Sequence, residues 1–457
     1  MAETREPTGW KPVALDGGYG WIVVLGSFLI HVFADGFVYS FGVIAESLVK
    51  EFNGTNAEVS TILSLLTGLM LAVGPVAGAI CNRIGCRLTT IIGAVIASIG
   101  CATSYYADSM TYLIGSVGII MGTGFGLMYC PAIIIVTMYF EKYRSLATGV
   151  TVCGAGVGTA VFSVLVSYLI VTFGWRQVFL IYAGLVLLCI PCGLLYRPVE
   201  FAPIYDDDEE EKVEKKEKLE EVVKMSTIWT TITKILDLSL FADPVYVLFA
   251  VSNFLTSIGF NAPPMFMPMN AESVLGLSKE SSAQTVSAYG IANIMGRIVF
   301  GLICDRQFPC KYGKDTARNR LWIYNWALML CGVFSCFVFL MVDEYVFKAY
   351  CFFFGFLISS YVCLTSVVLV DMVGVDKLTS AFGLLLLVQG IATFVGPPIA
   401  GVLFDLTKRY DWTFAFCGIC LFVSGIMLFV VPFIQKNKSK EVRLENGKDK
   451  QTKALLH

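Results

Sequence analysis

The stretch SAQTVSAYGIANIMGRIVFGLICDR at Ser282–Arg306 decides the interpretation of the whole chain. It is long enough to cross a bilayer as a helix, because the hydrocarbon core needs about 20 mostly apolar residues. Arg297 lies well inside this apolar run, where an arginine costs roughly 3 kcal/mol or more. A sequence keeps such a residue when it faces a water-filled cavity, a buried partner or an anionic ligand. With Asn293 one turn earlier, Arg297 makes a polar patch that predicts a fixed positive charge for a small anion crossing the membrane.

Composition places this helix in a membrane protein with many spans. The chain has 457 residues, of which 56% are apolar and 15% are charged, whereas a soluble globular protein has about 25% charged residues. The formal net charge is −2, and no basic domain stands apart from the apolar runs, so no nucleic-acid partner is expected. Most of the 15 cysteines lie inside apolar runs and are interpreted as packing residues. With two histidines and no metal-ligand spacing, neither a metal nor another cofactor is expected.

Apolar runs predict an all-helical membrane protein with twelve transmembrane helices in two six-helix bundles. The predicted spans lie near residues 20–43, 59–81, 89–107, 111–138, 146–173, 177–196, 245–267, 282–304, 322–342, 346–370, 381–404 and 413–434. The expected regions are a cytosolic N-terminus at 1–19, an N-terminal bundle at 20–196, a charged linker at 197–244, a C-terminal bundle at 245–434 and a cytosolic tail at 435–457. The charge run at 205–224 is interpreted as a solvated linker.

Basic residues in the short loops predict the orientation. One side of the membrane collects most of the lysines and arginines: Arg83, Arg87, Lys142, Arg144, Arg306, Lys311, Lys314, Arg318, Arg320, Lys436, Lys438 and Lys440. By the positive-inside rule this side is cytosolic, and both termini lie on it. Asn53-Gly54-Thr55 then faces outward, either as a glycosylation sequon or as a simple Asn-Gly turn.

The two halves of the chain resemble each other. GAICNR at Gly78–Arg83 ends the second span, and GLICDR at Gly301–Arg306 ends the eighth. Similarly, FGWRQVFLI at Phe173–Ile181 and RYDWTFAFC at Arg409–Cys417 occupy corresponding turns. Such a repeat indicates a duplicated transporter with its substrate site between the halves near the bilayer midplane.

Glycines crowd the fourth, fifth and eleventh spans. The fifth carries Gly149, Gly154, Gly156 and Gly158, and small residues let membrane helices approach closely. The pattern is compatible with tight packing alone and with packing that slides between two arrangements.

A polar stripe follows the first span. Ser27, His31, Asp35 and Tyr39 recur every four residues and share one face of the helix. A carboxylate at mid-membrane protonates or finds a partner. Asp35 is therefore expected to bind a cation or proton in the pathway or to balance Arg297. The alternative is a structural hydrogen-bond cluster between helices.

Other polar residues are candidates for gating. Asp371, near the cytosolic end of the tenth span, is interpreted either as a partner of Arg297 or as an interfacial acid. Asp305 and Arg306 end the eighth span and are expected to hold one conformation closed, and Arg83 occupies the corresponding position of the first half. Asn253 and Gln389, in the seventh and eleventh spans, are uncharged polar residues that equally suit hydrogen bonds between helices as interhelical glue.

Two further motifs carry a family resemblance. DGGYGW at Asp16–Trp21 resembles the first signature of the monocarboxylate transporter family of the major facilitator superfamily. YFEKYRSLATGV at Tyr139–Val150 resembles its second signature. The resemblance covers essentially the whole chain. It implies the major facilitator fold, a plasma-membrane location, no enzymatic activity, a coupling proton for some members, and for some relatives a single-span chaperone.

The chain departs from the family's lactate and pyruvate carriers at two positions. Those carriers use an Asp–Arg pair in the eighth helix and a lysine in the first. Here the arginine matches Arg297, but Asn293 holds the aspartate position; Tyr39 matches the tyrosine of the first helix, and the lysine position falls near Val43. The resemblance therefore implies a small carboxylate-bearing solute without lysine-centred proton coupling.

The sequence predicts a secondary transporter that works by alternating access in contact with membrane lipid. Arg297 holds the solute's carboxylate, while Asn293, Tyr39, Asp35 and His31 line the same cavity. One alternative is a carrier of carnitine-like or creatine-like zwitterions or of an aromatic amino acid. Another is a membrane sensor of the same fold that binds solute without carrying it. No nucleophile–base set or paired acid suggests an enzyme.

Overall fold

The computed structural model describes residues 9–52, 56–199, 201–204, 238–307 and 314–435. Most of the predicted charged linker, the Asn53 sequon and the tail from Lys436 lie outside the described residues. The region boundaries given above therefore remain predictions.

The described chain is almost entirely helical. Its helices are α1 Tyr19–Phe52, α2 Asn56–Ala72, α3 Gly74–Ser104, α4 Met110–Leu113, α5 Gly122–Tyr139, α6 Arg144–Phe173, α7 Trp175–Leu187, α8 Cys189–Leu194, α9 Pro244–Asn261, α10 Pro263–Ser273, α11 Lys279–Cys304, α12 Thr316–Cys336, α13 Glu344–Val373, α14 Leu378–Thr407 and α15 Tyr410–Met427. A π-helical segment, Ile114–Met121, joins α4 to α5, and short 3₁₀ turns lie at Leu238–Ala242, Val338–Leu340 and Leu428–Val430. The strands β1 Gly9–Pro12 and β2 Phe201–Ile204 pair antiparallel, with Gly9 opposite Ile204.

Ten helical segments within the described ranges are long and apolar enough to cross a membrane. The predicted span at 59–81 is divided at Val73, because Pro75 lies in the first turn of α3 and cannot continue the ladder of α2. The predicted span at 322–342 overlaps α12, which begins and ends six residues earlier and whose polar start TARNR lowers its hydropathy. α3 itself turns at Gly85, whose φ of 83° separates the second predicted span from the third. The all-helical membrane fold is confirmed, and a count of twelve spans depends on these two helices.

The two halves have separate hydrophobic cores. One core is built from α1 to α8 and includes Phe37, whose ring centroid lies 4.3 Å from that of Tyr182. The other consists mainly of residues from α9 to α15, such as Phe354 and Tyr350. The chain therefore folds as two helical bundles, as the repeat predicts.

The bundles meet where helices approach at glycines. α6 packs on α1 within the first bundle, where a Cβ at Gly158 would lie 2.9 Å from Gly36 Cα. It packs on α11 of the second bundle, where a Cβ at Gly149 would lie 2.6 Å from the carbonyl oxygen of Arg297. α14 similarly packs on α2 and α3, where a Cβ at Gly74 would meet Gly383 O at 2.6 Å. Side chains larger than hydrogen would separate these helices, so glycine sets the spacing of the bundles.

The two signature motifs contact each other. Asp16 Oδ1 accepts hydrogen bonds from the backbone N–H groups of Glu141 and Lys142, at 2.8 and 2.7 Å. The backbone N–H of Leu15 donates to Tyr139 O at 3.0 Å. The start of α1 is therefore fastened to the turn that precedes α6.

Candidate functional site

A polar cavity of about 90 Å³ lies between the bundles. It is bordered by α1, α2, α5 and α6 of the first half and by α9, α11, α13 and α14 of the second. Its polar lining comprises His31, Asp35, Tyr39, Thr67, Tyr129, Ser257, Asn261, Arg297, Tyr361, Thr365, Ser366, Gln389 and Thr393. Both halves therefore contribute to the cavity, as the sequence repeat predicts.

Arg297 on α11 is the charged centre of this lining. It is only 6% exposed, and its Nη1 donates to the backbone carbonyl of Val152 on α6. Its buried Nε has no hydrogen-bond partner. Among the described residues, none of the ion pairs within 4.0 Å involves Arg297. A buried guanidinium with an unused donor is able to bind a carboxylate.

The α1 stripe divides into two parts. Ser27 turns away from the cavity and forms a hydrogen bond of 2.7 Å with the hydroxyl of Tyr196. His31, Asp35 and Tyr39 line the cavity. His31 and Asp35 are 1% and 8% exposed, whereas Tyr39 is 54% exposed and lies at a more open part of the lining. Three of the four residues of the stripe therefore meet Arg297 at one cavity.

Asn293 occupies a different position from the other predicted binding residues. Its Nδ2 donates to Gly355 O of α13 at 3.1 Å, and Asn293 is not part of the cavity lining. The four-residue spacing from Arg297 leaves the two side chains on neighbouring but not identical faces of α11, and α13 packs closely on the face that carries Asn293. The amide therefore joins two helices of the second half.

A neutral polar face completes the second half of the cavity. Ser257 Oγ lies 2.8 Å from the hydroxyl of Tyr361, and Asn261 Nδ2 donates to Thr393 Oγ1 at 3.1 Å. Gln389 Nε2 donates to Asn253 Oδ1 at 3.0 Å, in line with the predicted role as interhelical glue. Of these residues only Asn253 and Gln389 were singled out from sequence. For Ser257 and Asn261 the signal was the four-residue spacing that also identified the α1 stripe, because they follow Asn253 at that interval on α9.

The gate candidates lie at one end of the bundles. Asp305, just after α11, accepts hydrogen bonds from the backbone N–H groups of Ser145 and Leu146 at 3.1 and 2.8 Å. These groups belong to the first turn of α6, where a carboxylate is stabilised by free N–H groups and by the helix dipole. Arg320 Nη2 donates to Asp305 at 2.8 Å. We call this set the Asp305 latch; it joins the second half to the first.

Asp371 pairs with Arg320 and not with Arg297. The Nη1 of Arg320 lies 3.2 Å from both carboxylate oxygens of Asp371. Of the two interpretations of Asp371, the structure does not show the pairing with Arg297. Arg297 lies eight residues before Asp305, about 12 Å deeper along α11 at 1.5 Å per residue. Arg320 was counted as a loop residue from sequence, but it is 4% exposed in the first turns of α12.

The corresponding position of the first half makes a weaker contact. Asn82 Nδ2 lies 3.5 Å from Ser380 Oγ in the first turn of α14, and we call this pair the Asn82 latch. The neighbouring candidates Arg83 and Arg306 have exposed side chains. They lie at the predicted cytosolic ends of the bundles rather than in the cavity.

Comparison with known proteins agrees with this architecture. The sequence profile of the Major Facilitator Superfamily matches residues 27–373 and 319–456. Two solved structures share the fold: the proton:xylose symporter XylE, with a TM-score of 0.66, 17% identity and coverage of 91% of this chain and 96% of that chain, and FucP in the outward conformation, with a TM-score of 0.61, 14% identity and coverage of 90% and 99%.

Curated relatives are similar over nearly the whole chain. Monocarboxylate transporter 4 of Gallus gallus is 31% identical over 428 residues, which are 93% of this chain and 85% of that protein. Monocarboxylate transporter 14 of Homo sapiens is 28% identical, with coverage of 92% of each chain. Monocarboxylate transporter 12 of Xenopus laevis is 28% identical, with coverage of 95% and 93%. The chain is therefore a multi-pass membrane protein that transports solutes and is not an enzyme, and it belongs to the monocarboxylate transporter family of the Major Facilitator Superfamily.

Proposed function

We propose that this transporter carries a small carboxylate-bearing solute across the plasma membrane, with the carboxylate held by Arg297. The observation that carries the proposal is the buried guanidinium, which has an unused Nε donor in a cavity between two bundles. Leaving a charged donor buried without a partner is costly. A carboxylate that visits the cavity would satisfy this donor, and the names of the curated relatives agree with that class of solute.

The size of the cavity favours a small solute. A buried water needs about 10–15 Å³ of such space, so a cavity of about 90 Å³ accommodates roughly six to nine water-sized groups. That is the size of a short monocarboxylate or a small amino acid. A larger solute would require the bundles to separate first.

Alternating access is supported by the contacts between the halves. The Asp305 latch and the Asn82 latch join the bundles at the end that the basic loops assign to the cytosol. A carrier with this end closed must break both latches to release solute inward. Glycine contacts between α6 and α11 suit small rotations of one bundle on the other.

Asp35 favours a second candidate, a zwitterionic solute. Its carboxylate lines the cavity, and none of the ion pairs within 4.0 Å in the described chain involves it. A charged Asp35 would receive a cationic group of the solute. A titrating Asp35 would instead carry a coupling proton, and it would do so without a lysine in the first helix.

The test measures the uptake of radiolabelled monocarboxylates and zwitterions, one at a time, by oocytes that express this chain. Truncation of a residue that makes charge-assisted hydrogen bonds costs about 1.5–3 kcal/mol, so Arg297→Ala should lower uptake of the true substrate by roughly 10- to 100-fold or more. Arg176→Ala is the control, because this arginine is partly exposed and pairs with Glu51 away from the cavity. Full uptake in Arg297→Ala would remove the proposal. Saturable binding without uptake or exchange would instead identify a sensor.

A further inference from the structure

His31 is held in a defined orientation on α1. Its Nδ1 lies 2.8 Å from the backbone carbonyl oxygen of Ser27, one turn earlier. A carbonyl oxygen only accepts hydrogen bonds, so Nδ1 carries the proton of this contact. In the neutral ring the other nitrogen, Nε2, is then an acceptor with a free lone pair.

This acceptor is buried and unused. Nε2 of His31 has no hydrogen-bond partner within the described part of the chain, although the residue is 1% exposed and lines the cavity. Most buried polar side-chain atoms in proteins have a partner, so an exception at a cavity needs an explanation. Tyr129 packs against the ring, with centroids 5.2 Å apart, and limits its rotation. The free nitrogen is therefore positioned rather than mobile.

The cavity combines this acceptor with groups of two other kinds. Asp35, one turn further along α1, supplies carboxylate oxygens. Arg297 on α11 supplies an unused donor. Among the neutral hydroxyl and amide groups of the lining, these three residues stand out: His31 Nε2 and Asp35 on α1 accept hydrogen bonds, and Arg297 on α11 donates them. A solute that matches both sides carries a carboxylate and, close to it, an O–H or N–H group.

We propose that His31 Nε2, supported by Asp35, binds the hydroxyl or amino group of the solute, so that the transported class is hydroxy- or amino-substituted carboxylates. This inference rests on the proposed role of Arg297. A keto acid of the same size presents only acceptor oxygens, and its keto oxygen would face the lone pair of Nε2 and the carboxylate of Asp35. A site that hydrogen-bonds a substrate group rejects analogues that lack it far more strongly than an apolar site does.

Matched solute pairs test this selectivity in proteoliposomes that contain the full-length chain. The pairs are lactate with pyruvate and 2-hydroxyisocaproate with 2-oxoisocaproate, with leucine as the amino counterpart of the second pair. In the wild type the hydroxy or amino member should be transported at least tenfold better than the keto member. His31→Phe keeps a ring but removes the acceptor and should reduce the ratio to within about twofold. His31→Gln retains an acceptor and should restore most of the preference.

The outcomes separate this inference from the proposed function. Uptake that depends on Arg297 but is equal for the two members of each pair overturns the assignment of His31 and leaves the proposed function intact. An unchanged ratio in His31→Phe also overturns it. Transport of no carboxylate by the wild type removes the proposed function and this inference together. Folding of each variant is checked by thermal unfolding, and equal wild-type transport of the two members of each pair overturns the inference without any variant.

Discussion

The Asp305 latch and the Asn82 latch occupy corresponding places in the two halves, but they are built differently. At both places a glycine lets its helix approach the first turn of a helix from the opposite half: a Cβ at Gly301 of α11 would lie 3.0 Å from Ser145 O, and one at Gly78 of α3 would lie 2.8 Å from Thr379 O. The backbone contact is thus duplicated. The ionic part is not: Asp305 binds two backbone N–H groups and Arg320, whereas the contact of Asn82 with Ser380, at 3.5 Å, is its one side-chain hydrogen bond among the residues that the structure describes.

This difference shows how a duplicated carrier becomes asymmetric. A carboxylate at a helix N-terminus gains from the dipole and from charge-assisted hydrogen bonds, and an amide gains little from either. The closed end is therefore held mainly on one side of the molecule. We expect opening to begin at the weaker Asn82 side and to be limited by the Asp305 side.

Removing the charge of Asp305 should have the largest effect. The side chains of Asp305 and Arg320 are each 5% exposed, and breaking a buried pair of this kind costs about 3–5 kcal/mol. Asp305→Asn should therefore lower the thermal stability and expose the cytosolic end to modification of a cysteine introduced at Ser145. Gln307→Ala, at an exposed residue two positions later, is the control and should behave like the wild type. Unchanged accessibility in Asp305→Asn would contradict the role of the latch.

Closing the gap at Gly149 should have the next largest effect. A Cβ there would lie 2.6 Å from Arg297 O and 3.0 Å from Cys363 Sγ, and overpacking of this kind typically costs about 1–3 kcal/mol. Gly149→Ala should separate α6 from α11 and reduce transport severalfold or more. Gly184→Ala is the control, since nothing lies within 4 Å of a Cβ at that position. Equal transport rates in the two variants would show that the spacing of α6 and α11 does not matter.

Introducing a carboxylate at position 82 should have the smallest effect and make the halves more alike. An acidic residue at a helix N-terminus contributes about 0.3–1 kcal/mol. Asn82→Asp should therefore favour the closed cytosolic end by a few-fold and slow the exchange of solute. Asp305→Asn combined with Asn82→Asp should recover part of the lost closure. An Asn82→Asp variant that exchanges solute faster than the wild type would reverse this account of the asymmetry.

The sequence predicted the features that depend on the spacing of residues along one helix and on the free energy of burying a charge in the membrane. The spans, the repeat and the cavity position of Arg297 follow from apolar run lengths and from the energy of burying a charge. The four-residue stripe placed His31, Asp35 and Tyr39 on one face of α1. These inferences concern one helix at a time, where periodicity alone determines which residues lie together.

Contacts between helices could not be predicted in the same way. Asn293 and Ser27 share the spacing of cavity residues, yet Asn293 bonds to α13 and Ser27 bonds to Tyr196, just after α8. Asp371 pairs with Arg320, which the sequence analysis had assigned to a basic loop outside the helices. Which partner a polar residue finds depends on helix rotation and crossing, and a single sequence does not contain those quantities.

The most direct test of the account compares the carboxylate that is best transported with its neutral primary amide. The measurement is the affinity of each for purified wild-type protein and for Arg297→Gln, by competition with the radiolabelled carboxylate or by ligand-induced thermal stabilisation. The wild type should prefer the carboxylate by roughly 10- to 100-fold, as expected for a charge-assisted interaction worth about 1.5–3 kcal/mol, and Arg297→Gln should lose this preference. An equal preference in both proteins would show that Arg297 does not hold the carboxylate.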